Sequence, residues 1–393
     1  MRRSSGTTAN GFGVSEVDLS FTPAELAFAT EIRAWLIDNL EVPPAFESLD
    51  DEIAWGREWQ AKLASDRWVG IHWPAQYGGR GATPVEVALY NMEYARSRAL
   101  QPVNRVGINL AGPTLLAHGT EEQKQRWLPR ILDAAEIWCQ LFSEPSAGSD
   151  LAALATRAVR VDGGWHVSGQ KVWTSYAQYA RWGIGLVRTD ADVPKHRGIS
   201  FVVVDMEAPG IEIRPLVQIT GEAEFNEVFF DEVFVPEDQL VGDLNNGWAV
   251  ANTTLAHERG TAFPFKEQVV HEVYLDELYA LARVRGRLDD VEVADALAQS
   301  FVELRLLRLN NWGTLSRLAR GVSPGPESSI TKLIWTDMSQ HLAETAMTIL
   351  GPDAPMTGKW SRQWLWSKAA SIAGGTSEVQ RTIIGDRLLG LPR

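Results

Sequence analysis

Phe142-Ser143-Glu144-Pro145-Ser146-Ala147-Gly148-Ser149-Asp150 is a small, polar, turn-forming stretch that follows an apolar run. In such a loop, backbone N–H groups and hydroxyls can approach a planar polar ring closely. Further along, Lys171-Val172-Trp173-Thr174-Ser175 stands at a strand end. A tryptophan beside hydroxyls is suited to packing on an aromatic cofactor while the hydroxyls reach its heteroatoms. Taken singly, each segment also reads as ordinary structure. The loop is then a helix-to-strand connector, and Trp173, one of 16 tryptophans, is core. Two more segments carry chemistry-bearing residues. Leu255-Ala256-His257-Glu258-Arg259-Gly260 sets an acid beside a base on a helix, where a solvated surface pair is the ordinary reading. Ile372-Ala373-Gly374-Gly375-Thr376-Ser377-Glu378-Val379-Gln380-Arg381 is a glycine loop that opens a helix.

In this order, the segments resemble the signatures of the acyl-CoA dehydrogenase family, flavoproteins that desaturate acyl thioesters. The resemblance runs from about Phe21 to Arg393. It implies a helical N-terminal domain, a β-barrel middle domain and a four-helix-bundle C-terminal domain. It also implies bound FAD. Phe142, Ser143 and Ser149 correspond to positions lining the flavin ring and the start of the substrate pocket, with Gly148 beside them. Trp173 corresponds to the aromatic that packs on the isoalloxazine, and Ser175 to the hydroxyl near flavin N5, where a threonine is common. Thr376 and Glu378 correspond to FAD contacts, and Gly375 to a position beside the substrate. Arg283, in Ala282-Arg283-Val284-Arg285-Gly286, aligns with an arginine that holds the FAD pyrophosphate of a neighbouring subunit. The aromatic that precedes the glycine in the family is missing here. Leu350-Gly351-Pro352-Asp353 stands where another FAD-contacting stretch would be and lacks its paired glycines.

Desaturation needs a base for the α-proton and an acceptor for the β-hydride. The thioester carbonyl must be polarised by fixed donors, and the base must be a carboxylate made more basic by burial. Many family members carry that glutamate where this chain has Gly374. Gly374 can offer only its backbone N–H to the thioester oxygen. Other members place the glutamate on the first long helix of the C-terminal domain, and Glu258-Arg259 corresponds to their Glu-Arg pair. The resemblance therefore implies Glu258 as base, with Arg259 shaping the charge of the substrate site. His257 adjoins Glu258, but helix neighbours point about 100° apart, so no direct role is assigned to it.

The elements that would position these residues follow from pattern. Residues from about 22 to 135 read as helical. Thr22-Pro23-Ala24-Glu25 is a capped helix start, a second helix begins after Thr83-Pro84, and a third lies near Glu121 to Leu132. From about 140 to 240 the period shortens. Asp162-Gly163-Gly164 is a hairpin signal between Thr156–Val161 and Trp165–Val167, and further strands follow at Ile184–Arg188, Ile199–Met206 and Val228–Val235. This predicts a compact antiparallel β domain. After Gly242 helices return at Trp248–Thr261, Gln268–Arg283, Val291–Leu318, Ser328–Leu350 and Val379–Leu388, as in a bundle, with an exposed connector at 321–326. The expected division is a loose tail over 1–20, then domains over 21–136, 137–241 and 242–393.

Composition is that of a globular protein: 393 residues, 45% hydrophobic and 22% charged. A formal charge of −13 disfavours nucleic acid and anionic membrane surfaces. The single cysteine, Cys139, excludes an internal disulfide, and its apolar surroundings predict a buried inert thiol. The seven histidines lack metal-ligand spacing, so no metal is expected. No membrane span and no signal-peptide core are read, which makes a cytoplasmic protein the default. By resemblance, electrons would pass to an electron-transfer flavoprotein, and the chain would form a homodimer or homotetramer. Two alternatives follow from the vacant base position: a flavin monooxygenase of the same fold, and a non-catalytic or partner-dependent subunit of a heteromeric dehydrogenase. The acyl group is not specified by any of these residues.

Overall fold

The structure is a computed structural model that describes residues 20–258, 262–322, 325–356 and 358–392, without the side chains of 257, 258 and 262–264. The N-terminal part comprises α1 (Pro23–Asn39), α2 (Leu49–Ser65), α3 (Pro84–Ser97), α4 (Gly112–His118, entered through a π-helical turn over 107–111) and α5 (Glu121–Leu132). Thr22, Thr83 and Thr120 each close a capping box, which fixes where three of these helices begin.

Eight strands then form one sheet: β1 (Trp138–Leu141), β2 (Arg157–Val161), β3 (Gly164–Ser175), β4 (Trp182–Arg188), β5 (Ile199–Asp205), β6 (Ile211–Leu216), β7 (Phe225–Pro236) and β8 (Leu240–Val241). The order is β6-β7-β3-β2-β4-β5-β8, and β1 lies beside β4. The predicted hairpin forms with Val161 opposite Gly164. Pairing is mostly antiparallel, but β1 and β2 both pair parallel with β4. Strand β3 continues well past the predicted Val167, to Ser175.

The C-terminal part holds α6 (Gly247–Glu258), α7 (Ala262–Val284), α8 (Val291–Ala319), α9 (Ser328–Leu350), α10 (Lys359–Ser367) and α11 (Ser377–Ile383). Helices α7, α8 and α9 bury Leu278, Leu307 and Ile349 in a common core, and Trp360 of α10 packs against it. Helix α6 stands apart from that core. Its Val250 and Ala251 join the N-terminal core, which also contains Trp73, Trp127 and one face of the sheet through Ile184 and Phe201. Gly247 lets α6 start against β5, since a Cβ there would lie 2.4 Å from the Ser200 carbonyl carbon. The N-terminal helices and the sheet therefore meet around α6.

Candidate active site

The loop and strand end predicted to flank a flavin are joined to each other. The Val172 N–H donates to the Ser143 carbonyl at 2.9 Å. Beneath them, the Lys171 ammonium donates to Glu144 Oε1 at 2.8 Å and to the Phe142 and Leu186 carbonyls at 3.1 and 2.8 Å. Glu144 also accepts from the Ala155 and Thr156 amides at 2.6 and 2.9 Å. Both side chains are buried. Burial works to raise the Glu144 carboxyl, but Lys171 and these donors hold it below its ordinary value. Burial lowers Lys171 to about 8, against the attraction of Glu144. This network sets the height of the loop over β3. Composition alone gave Lys171 and Glu144 no such role.

Trp173 is turned outward by that arrangement. Two residues of β3 oppose one of β7 between Lys171 and Thr174, which is a bulge. Trp173 sits there at φ +60°, in the left-handed region that non-glycine residues seldom occupy. Its indole is 61% exposed, braced edge-on by Phe225 at 6.1 Å. A strained backbone that holds a large aromatic out of the core fits a flat ligand. Phe142 is buried, Ser143 and Ser175 are half-buried, and Gly148 and Ser149 are exposed, with open space around Gly148. These features fit the face of an isoalloxazine.

The terminal glycine loop is built locally. Gly374 and Gly375 adopt φ +64° and +97°. Buried Gln380 donates to both of their carbonyls at 3.2 Å. Among the described residues the Gly374 N–H has no acceptor. Thr376 caps α11, accepting from the Val379 amide at 3.3 Å, and Glu378 is exposed one turn before Arg381. Just after α7, Arg285 is tied to Asp353 and Arg287 to Asp290. Arg283 is exposed and makes no side-chain bond among the described residues, which leaves its guanidinium available to an anion. The 350–353 stretch is already engaged by Arg285.

Helix α6 is clamped from the N-terminal side. Thr254 and Thr114 hydroxyls lie 2.8 Å apart, and Thr253 meets His118 Nε2 at 2.8 Å. Its buried positions are 247, 250, 251 and 254. Position 258 is the last residue of α6, four after Thr254. The Glu258 side chain and residues Arg259, Gly260 and Thr261 lie outside the described residues.

Cys139 is fully buried, and burial pushes its thiol well up. Most tryptophans serve packing: Trp127, Trp138 and Trp182 form one cluster at 5.6–6.2 Å between ring centres. Among the described residues no helix is long and apolar enough to cross a membrane.

Comparison with known proteins agrees with this geometry. Models of the acyl-CoA dehydrogenase N-terminal, middle and C-terminal domains match residues 22–135, 139–233 and 245–389. Acyl-CoA dehydrogenase IpdE1 of Mycobacterium tuberculosis is 40% identical over 381 residues, covering 93% of this chain and 97% of that protein. Acyl-CoA dehydrogenase FadE34 of the same organism is 45% identical over 348 residues, 85% of this chain but only 46% of that longer protein. The crystal structure of the ChsE4-ChsE5 complex from Mycobacterium tuberculosis matches with a TM-score of 0.82 at 33% identity, covering 96% of this chain and 99% of that one. The chain belongs to the acyl-CoA dehydrogenase family.

Proposed function

We propose that this chain desaturates an acyl-CoA, or a related acyl thioester, between its α and β carbons. Glu258 removes the α-proton. FAD, when bound, supplies the acceptor for the β-hydride. The proton and the hydride leave from adjacent carbons, and the electron pair of the broken α-C–H bond becomes the new double bond. The observation that carries this reading is the clamping of α6, the helix that ends at Glu258. Thr253 and Thr254 fix that helix against the N-terminal side. Gly374 meanwhile has no side chain to act as base.

The remaining groups bind and orient. The free Gly374 N–H, on a loop fixed by Gln380, polarises the thioester carbonyl. Trp173, Phe142, Ser143, Gly148, Ser149 and Ser175 hold the isoalloxazine. Thr376 and Glu378 complete its contacts, and Arg283 reaches a pyrophosphate across a subunit boundary. Ser149, Gly375 and Arg259 face the thioester. An electron-transfer flavoprotein is the proposed electron acceptor, and the cytoplasm the proposed location.

Assembly is part of the proposal. Val302, Leu306 and Leu309 form an exposed apolar stripe along α8. Such a stripe supports an oligomer, either a homodimer or homotetramer, or a heteromer like the two-chain ChsE4-ChsE5 complex. Anaerobic mixing of the FAD-loaded chain with a panel of acyl-CoAs tests the function. Bleaching of the flavin absorbance is expected. A chain that is colourless and inactive alone, and active only with a second chain, identifies the heteromeric form. Oxygen-dependent hydroxylation without desaturation overturns the reading.

A further inference from the structure

A cavity of about 360 Å³ lies where the three parts of the molecule meet. Its walls come from α2 and the 100–105 segment, from Tyr176 and Glu224 at the sheet end, and from α7, α9 and α10. Tyr176 directly follows Ser175, the residue proposed to stand beside the flavin. On α7 the wall residues are Lys266, Val270 and Tyr274, with Glu267 and His271, each series four apart along one helix face. Helix α7, which supplies this wall, is the next described element after α6.

A pocket for a plain alkyl chain would be lined by aliphatic and aromatic carbon. This one is not. His271 is 3% exposed, and its Nδ1 meets the Glu267 carbonyl at 2.7 Å. Nδ1–H donates to that carbonyl, which leaves Nε2 as an acceptor in the neutral ring. Burial holds the imidazole below its ordinary value and so in that neutral form. Nε2 has no hydrogen-bond partner among the described residues, and neither does the hydroxyl of Ser339, which is 2% exposed. Among the described residues Lys266 has an ion pair to Glu267 at 3.6 Å and no other. Arg105 spends one donor on the Tyr176 hydroxyl at 3.2 Å. Polar groups at a buried wall are costly unless something bonds them.

Charge narrows what that something is. Arg105, Lys266 and Arg362 face Glu52, Glu224 and Glu267 around the cavity. Arg362 is already bound to Glu222. The wall thus has no net positive charge to neutralise a carboxylate. It offers donors in Lys266 and Arg105, an acceptor in His271 and a hydroxyl in Ser339.

We propose that this cavity receives the far end of the acyl group, and that this end carries an uncharged oxygen function, a ketone or hydroxyl, rather than bare hydrocarbon. The proposal rests on the desaturase reading above and names its substrate class. A ketone oxygen accepts from Lys266 or Arg105. A hydroxyl donates to His271 Nε2.

The test uses FAD-loaded full chain and four acyl-CoA esters of equal length, ending in an alkyl, keto, hydroxyl or carboxylate group. The keto or hydroxyl ester should exceed the alkyl ester in kcat/KM by at least about tenfold. His271→Phe and Lys266→Met should narrow that gap by raising KM for the oxygenated esters more than for the alkyl ester. Because the preference is read first on the unaltered protein, a misfolded variant does not remove the test. Parity of the alkyl ester, or preference for the carboxylate ester, overturns the proposal. Titration calorimetry with the same esters reads binding without turnover. A binding preference for oxygenated esters with no bleaching by any of them keeps the cavity assignment and sinks the desaturase reading instead.

Discussion

Lys171 and Glu144 meet at 2.8 Å with side chains only 1% and 4% exposed, and the pair ties the loop after β1 to the strand that carries Trp173. Removing one partner of a buried pair leaves the other charge uncompensated. Lys171→Met should therefore destabilise the protein by about 3–5 kcal/mol in denaturant unfolding. A loss under about 1 kcal/mol would mean that the network does not hold the loop.

The same pair makes stability depend on pH in two windows. Glu144 has a folded pKa below its ordinary 4.5, so its contribution is complete above that value and is lost as pH falls through the folded value. Lys171 is lowered from 10.5 to about 8, so between these values the unfolded chain binds the proton better and stability from this group rises with pH. Melting curves of Glu144→Gln should show a shallower acid loss than the parent, and Lys171→Met should lack the alkaline rise. Parallel profiles for parent and variants would contradict both assignments.

Trp173 is exposed and strained, so packing does not require it. Trp173→Ala should leave unfolding stability within about 0.5 kcal/mol of the parent. FAD should bind more weakly by a factor on the order of ten, the size of one lost aromatic stacking contact. Apoprotein titrated with FAD and followed by flavin fluorescence measures this. Unchanged affinity with a large stability loss would return Trp173 to a core role.

Leu306 is 54% exposed at the centre of the α8 stripe. If the stripe is a subunit contact, Leu306→Asp should lower the mass seen in sedimentation while monomer far-UV circular dichroism is kept. A parent protein that sediments as a monomer would leave the stripe without that role.

Much of this architecture is written in local signals. The helix starts at Thr22 and Thr83, the Asp162-Gly163 turn and the helices from Val291 and Ser328 stand where the pattern puts them, while α7 begins at Ala262, before the expected Gln268. Helix α2 was hidden because its buried face includes Gly56 and Gln60 instead of apolar residues. Gln60 is inside because it donates to the Ile131 and Leu132 carbonyls and accepts from the Asn104 amide. Helix α4 was hidden behind Gly112-Pro113, where the glycine is needed because a Cβ would lie 2.0 Å from the Trp73 ring. Helix α10 was lost among tryptophans that periodicity could not sort. The candidate site was legible only as motifs in order. The bulge that turns Trp173 outward depends on the register of β3 against β7, and the polar cavity depends on Arg105, Tyr176, Lys266 and His271 converging from separate segments.

The central claim is that a carboxylate at position 258 removes the α-proton, and Glu258→Gln tests it most directly. Steady-state desaturation and anaerobic flavin bleaching should both slow by about 10²–10⁴-fold while FAD stays bound. Adding Gly374→Glu should then recover part of that loss, less the strain of a side chain at φ +64°. Full turnover by Glu258→Gln with FAD bound would contradict the account.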